Sequence, residues 1–299
     1  MKKPLVNFGH SVRARLLAVA KERGLQFEYV LLRYALERFL YRLGISNFAN
    51  CFVLKGASAF AAWLGPFCRA TRDADLEAFG DMSPDRLKKA FAEICAISCP
   101  DDGVEFDLTS FTTTEIKRED KYPGVRLFFR AMIGGACVPL QFDIGCGDNI
   151  YPEAEKLTYP TLLGAHAPCI CVYPRYTVVA EKFQVIVVRG VLNSRLKDYY
   201  DIWLLAGSFD FDYEVLQTAI KSTFGRRDTE VPREMPPALT EAFSKSADKL
   251  AQWRGFLRAS KLEEIALTDV VERLAAFFDP VITCGPRVTS WCCLSGKWL

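Results

Sequence analysis

Apolar residues recur at helical spacing across residues 11–23, where Val12, Leu16, Leu17, Val19 and Ala20 share one face, and Gly24 supplies a stop. A longer helix is predicted over 27–43, with Val30, Leu31, Tyr34, Leu36, Phe39, Leu40 and Leu43 apolar and Gly44 beyond its end. The period then shortens. Residues 51–54 read as a strand, Gly56 as a turn, and 57–64 as a short helix closed by Gly65 and Pro66. A second strand is predicted over 74–79, with Asp75 and Glu77 on one face. A helix opened by Ser83 and Pro84 follows, reaching Ile97. Four more strands are predicted over 104–108, 111–116, 125–133 and 137–144. The last two are joined as a hairpin by Gly134 and Gly135.

From 151 to 174 the chain carries Pro152, Pro160, Pro168 and Pro174 with little periodicity and reads as a linker or wrapping segment. Beyond it strand signals vanish, and helices are predicted over 177–189, 196–205, 213–223, 237–243, 247–259 and 262–278. The expected class is α+β. Residues 1–160 form a mixed-sheet domain behind a two-helix cap, 161–280 a helical domain, and 281–299 a tail without an assignable period.

The 299 residues are half apolar, enough for a substantial core. Lys and Arg number 38 against 36 for Asp and Glu, so no global positive field marks a nucleic-acid binder. Arg13, Arg15, Arg33, Arg38 and Arg42, with Arg189, Arg195, Arg226, Arg227 and Arg233, could still build a local basic surface or be plain solvated helix faces. The first residues, Met1 to Arg13, are too polar for a signal peptide, and no apolar run approaches the roughly 20 residues of a membrane span. A cytoplasmic protein with no membrane partner is expected. Eleven cysteines without zinc-type spacing, and only two histidines, point to reduced thiols and away from zinc sites or a histidine-based triad.

Asp73 and Asp75 stand one residue apart, so on a strand they share a face, and Asp143 within the apolar run 138–144 can join them from a neighbouring strand. Three such carboxylates would repel one another unless a divalent cation neutralised them, which makes Asp73, Asp75 and Asp143 an expected Mg²⁺ site, with Mn²⁺ as the substitute ion. Gly56, Ala57 and Ser58 sit where a strand meets a helix, a place where backbone N–H groups can approach a triphosphate. In the helical half, Lys182 can bind phosphate as a point charge, and Asp198 and Asp201, at i and i+3, can orient it. The bland readings are a capped strand and an ordinary solvated helix pair.

Several blocks in order resemble one known family, the AbiEii/AbiGii type IV toxin nucleotidyltransferases of the DNA polymerase β-like superfamily. They are Ser11 to Leu17, Phe52 to Gly56, Thr71 to Asp75, Gln141 to Gly145, Ala180 to Phe183 and Ser194 to Asp201. The resemblance implies a polymerase β-like mixed sheet and a Mg²⁺-dependent nucleotidyltransferase. Asp73, Asp75, Asp143, Lys182 and Asp198 would be catalytic, and Lys55, Gly56, Ser58, Thr71, Arg72, Lys182 and Asp201 nucleotide-binding. It further implies an NTP as donor, RNA with tRNA preferred as acceptor, and a cognate antitoxin. The turn departs from the family's Gly-Gly or Gly-Ser, because Ala57 follows Gly56 and Ser58 comes one place late. Thr71 stands where some relatives carry a serine that an antitoxin modifies, and a phosphate there would add negative charge beside the carboxylates. Two other classes compete: a metal-dependent nuclease using Asp107 with Glu115 and Lys117, and an inert binding protein of the same fold.

Overall fold

Two units divide the chain and interleave along it: Met1–Gly147 with Glu155–Tyr173, and Asp148–Ala154 with Pro174–Leu299. The computed structural model describes residues 8–68, 71–80, 83–116, 124–283 and 288–299. The expected single boundary at residue 160 is replaced by repeated crossings, because the Pro-rich stretch is shared between the units.

The first unit contains the helices α1 (Phe8–Glu22), α2 (Phe27–Ile45), α3 (Gly56–Leu64) and α4 (Pro84–Cys95). Its strands are β1 (Phe52–Lys55), β2 (Ala74–Ala78), β3 (Val104–Ile116), β4 (Gly124–Ile133), β5 (Ala136–Cys146), β6 (Glu155–Thr158) and β7 (Cys169–Val172). They form one mixed sheet in the order β3-β4-β5-β2-β1-β7-β6. The two strands predicted over 104–116 are one strand, with a register shift against β4 between Asp107 and Thr112. The expected linker supplies β6 and β7, which pair with each other, and β7 runs parallel to β1. Prolines flank these short strands instead of interrupting them, a position that spares the ladder hydrogen bonds.

Period-two alternation sorts the central strands into two faces. Leu54, Leu76, Ile144 and Val125 are paired in register across β1, β2, β5 and β4, and all are buried. On the same face Phe142 and Phe129 stack with ring centres 5.6 Å apart, and Phe39 of α2 sits 4.5 Å from Phe142 and 5.0 Å from Phe91 of α4. This aromatic cluster anchors both helices to one side of the sheet.

Three arginines of α2 depart from the expectation of a solvated basic face: Arg33, Arg38 and Arg42 are buried. Arg33 donates to Tyr159 Oη at 2.6 Å, and Arg38 to Glu37 at 2.6 Å. Arg42 grips both oxygens of Asp102, at 2.7 and 3.3 Å. Each charge is spent inside the unit, the condition under which arginine tolerates burial.

The second unit holds α5 (Arg175–Arg189), α6 (Leu196–Ser208), α7 (Tyr213–Arg226), α8 (Glu241–Ser244), α9 (Ala247–Ser260) and α10 (Leu267–Thr283). Phe183 of α5 stacks on Phe278 of α10 at 3.9 Å. Strands persist here against expectation: β8 (Phe211–Asp212), β9 (Ser290–Cys292) and β10 (Lys297–Trp298) form a small sheet in the order β10-β9-β8. The tail is thereby packed. Trp291 is fully buried and donates to Ala206 O at 2.7 Å, and Trp298 stacks on Phe277. Among the described residues, which exclude Cys284, no helix is long and apolar enough to cross a membrane and no cysteines are joined in a disulfide.

Candidate functional site

On the face opposite the aromatic cluster, the sheet carries a row of charge. Lys55, Asp75, Asp143 and Arg126 are register partners across β1, β2, β5 and β4, so their side chains leave the sheet on one side. Asp75 lies beside Asp143 across a parallel pair, as the strand reading requires, and Asp73 stands one residue before β2.

Gly56 makes this arrangement possible. Its φ is +65°, and a Cβ there would fall 1.9 Å from Asp75 Oδ2. Any other residue would meet both backbone strain and a collision with the carboxylate. The strand-to-helix glycine therefore serves Asp75 directly. Ser58, fully buried on α3, donates its hydroxyl to Asp73 O at 3.0 Å, and Thr71 donates to Asp73 Oδ1 at 2.7 Å. Both hydroxyls thus brace Asp73. Arg72 is exposed.

Lys55, expected at the nucleotide, is buried and gives its ammonium to the fully buried Glu77 beneath the Tyr173 ring. Glu77 follows Asp75 at i+2 on the same face, so Lys55 offsets the innermost carboxylate of the row.

Asp143 is not an open third ligand. Arg126 Nε donates to its Oδ1 at 2.7 Å and Nη2 to its Oδ2 at 2.6 Å, and Gln141 adds a bond of 3.1 Å. The hydrogen bonds to Asp143 raise the Arg126 pKa above its ordinary value. Partial burial opposes this, and the negative charges of Asp143, Asp73 and Asp75 reinforce it. The guanidinium therefore feels all three aspartates. The expectation that only a divalent cation could neutralise the cluster missed this arginine. Its signal was present in the sequence: a lone charge inside the apolar run Val125 to Phe129, on the strand predicted to pair with that of Asp143.

A metal fits part of the expected donor set. Asp73 and Asp75 offer the hard oxygens a magnesium-type ion prefers, and the missing Gly56 side chain leaves room at Asp75 Oδ2. Asp143 is held by Arg126, and among the described residues no group of three or more His, Cys, Asp or Glu side chains is disposed around one ion. The cluster is an Asp73–Asp75 pair beside an arginine-bound Asp143.

The helical unit builds its own cluster. Lys182 Nζ lies 2.7 Å from Asp198 Oδ1 and 2.9 Å from Asp201 Oδ2, and Arg195 Nε reaches Asp198 Oδ2 at 2.8 Å. Both aspartates are fully buried. Burial pushes the Asp198 carboxyl up, but the charges and hydrogen bonds of Lys182 and Arg195 overcome it and hold the pKa down at about 2. The i, i+3 spacing expected of Asp198 and Asp201 thus converges on one ammonium, and the pair is no solvated helix face.

Of the nuclease candidates, Asp107 and Glu115 lie apart along the single strand β3. Asp107 accepts from the backbone and hydroxyl of Thr109 and from Arg130, so it organises the register shift in β3. Lys117 lies outside the described residues.

A mixed sheet with paired in-register aspartates beside a strand-to-helix glycine, flanked by helices and followed by a helical unit, defines the nucleotidyltransferase class. More narrowly, the chain belongs to the AbiEii nucleotidyl transferase toxin family of type IV toxin–antitoxin systems, whose family profile matches residues 38–279. Among solved structures it is similar to a candidate nucleotidyltransferase from H. pylori, with 13% identity and a TM-score of 0.49, covering 87% of this chain and 97% of that one. It is also similar to JHP933 from Helicobacter pylori, with 14% identity and a TM-score of 0.48, covering 83% and 88%. No curated protein matches it in sequence.

Proposed function

We propose that this protein is a toxin enzyme that transfers a nucleoside monophosphate from an NTP to RNA, with the acceptor end of tRNA the preferred target, and so blocks translation or phage propagation. The observation that carries the reading is Asp75 paired with Asp143 across β2 and β5, with Gly56 pressed against Asp75, in a chain of a nucleotidyltransferase toxin family. In the reaction the acceptor hydroxyl oxygen bonds to the α-phosphorus, the bond to the bridging β-phosphate oxygen breaks, and pyrophosphate leaves. A bound Mg²⁺ or Mn²⁺ neutralises triphosphate charge and makes the hydroxyl more acidic. Asp73 and Asp75 would hold it. Ser58 and Thr71 fix Asp73, Gly56 leaves room for the Asp75 carboxylate, and Arg126 holds Asp143 beside them. Release of Arg126 would free an Asp143 carboxylate oxygen to take the hydroxyl proton. The family resemblance further implies that Lys182, which Asp198 and Asp201 hold, would bind nucleotide phosphate.

A cognate antitoxin belongs to the same reading. Its chemistry would be phosphorylation of Thr71, whose hydroxyl donates to Asp73. A phosphate would replace that donor with negative charge next to the carboxylate. Equal toxicity of Thr71→Ala and Thr71→Glu would remove this part of the proposal.

The test is incubation of purified protein with total RNA, Mg²⁺ and each α-labelled NTP, beside Asp73→Asn. Label entering RNA, and lost in the variant, is expected. RNA shortening would instead indicate a nuclease, and neither change would indicate an inert binding protein.

A further inference from the structure

The first unit contains a second polar cavity, on the other side of the sheet from the aspartates. On α2, Tyr34, Arg38 and Tyr41 recur at i, i+4 and i+7 and line one side of it, while Phe39 turns the other way into the aromatic cluster beneath Phe142. Phe142 and Asp143 are neighbours on β5 and face opposite sides, so α2 and the sheet separate this cavity from the aspartate row. Its volume is about 660 Å³, within the range of small-ligand sites.

The walls come from four segments tied by long-range hydrogen bonds. Tyr34 Oη donates to Asp102 O at 2.9 Å, Arg38 to His166 O at 2.9 Å, and Arg15 of α1 to Leu163 O at 2.8 Å. Such a frame is set before any ligand arrives. Its lining is aromatic and carries charges of both signs, from arginines and carboxylates. The Arg38 guanidinium lies against both the Tyr34 and Tyr41 rings, at 5.8 and 5.3 Å, and the His166 ring runs within 20° of parallel to Tyr41. Arg15 is exposed at the rim. Arg38 Nε is buried without an acceptor among the described residues. Glu37 pairs with Arg38 and Asp102 with Arg42, which leaves Arg15 and the exposed carboxylate of Asp101 as the charges at the cavity edge.

Guanidinium groups beside a tyrosine–histidine shelf match a planar base carrying a phosphate. We propose that this cavity is a second nucleotide-binding site, seating a base on the Tyr41–His166 shelf and its phosphate on Arg15 at the rim. The exposed carboxylate of Asp101 can accept from an exocyclic amino group of the base. The ligand is a nucleotide, free or within a single strand of RNA. The site does not depend on nucleotidyl transfer at Asp75.

Calorimetric titration of the full chain in EDTA with AMP, CMP, GMP or UMP, and separately with a short single-stranded oligoribonucleotide, tests the proposal. Saturable binding is expected, weakened about tenfold or more by Arg15→Glu and by Tyr41→Leu, and unchanged by Asp75→Asn. A mononucleotide binding as well as the oligonucleotide identifies a free nucleotide, and tighter oligonucleotide binding identifies a strand. Arg15 lies on an exposed helix face, so its variant keeps the test valid should Tyr41→Leu fail to fold. No binding, binding indifferent to both cavity variants, or binding abolished by Asp75→Asn would overturn the proposal. Each of these outcomes is independent of whether label is transferred to RNA.

Discussion

Both units hold an aspartate in the grip of a basic residue, and the two clusters differ in how far water reaches them. In the helical unit Asp198 is fully buried, and the side chain of its partner Lys182 is 14% exposed. In the sheet unit Asp143 is 13% exposed and its partner Arg126 is 37% exposed. Removing one member of a buried pair strands a charge in low dielectric, whereas a partly hydrated pair can open and be replaced by water or another ion. The same chemistry therefore makes a fixed brace in one unit and an exchangeable clamp in the other.

The comparison breaks most sharply at Lys182. Lys182→Met takes the shared ammonium from Asp198 and Asp201, leaving Asp198 to Arg195, and should cost about 3–5 kcal/mol in urea unfolding, because buried carboxylates lose a cation that water cannot replace. A loss below about 1 kcal/mol would mean that the cluster is hydrated. Gly56→Ala should come next. The new Cβ displaces the Asp75 carboxylate, lowering transfer at least about a hundredfold, while the strained φ costs about 1–2 kcal/mol of stability. Wild-type transfer by this variant would show that the close approach is incidental.

Acid should also tell the clusters apart. The native Asp198 carboxyl is held at about 2, below the value of about 3.9 in an unfolded chain. Its contribution, about 2 kcal/mol, is complete above the unfolded value and is lost as pH falls towards 2. Stability followed by near-UV circular dichroism should therefore decline across that window, and Asp198→Asn should flatten the decline. The smallest effect on stability is expected at Arg126→Ala, under about 1 kcal/mol by denaturation. That variant should instead bind Mn²⁺ more tightly, read by calorimetry, because Asp143 is released and the local charge becomes more negative. Unchanged or weaker Mn²⁺ binding would show that Arg126 does not compete with cations.

How much of this was legible beforehand follows from the range of each signal. Period two placed Asp75 on a strand face, and an apolar run placed Asp143 on another, so their meeting could be expected once those strands paired. The i, i+3 spacing of Asp198 and Asp201 likewise foretold convergence on one side of a helix. Arg126 escaped because a single charge in a strand does not name its partner; only the β4–β5 register does. The ion pair of Lys55 with Glu77 was hidden for a related reason, since it depends on an antiparallel pairing across 22 residues. The strands β6, β7, β9 and β10 are two to four residues long, too short for alternation to register. Arg33 and Arg42 of α2 looked like surface because their partners, Tyr159 and Asp102, lie far along the chain.

Transfer of an α-labelled nucleotide to RNA by Asp75→Asn, compared with wild type at matched melting temperature, tests the central claim most directly. Label incorporation reduced at least about a hundredfold, with the melting temperature within a few degrees, is the expected result. Undiminished incorporation by a folded Asp75→Asn protein would contradict it and place the reaction away from the β2–β5 aspartates.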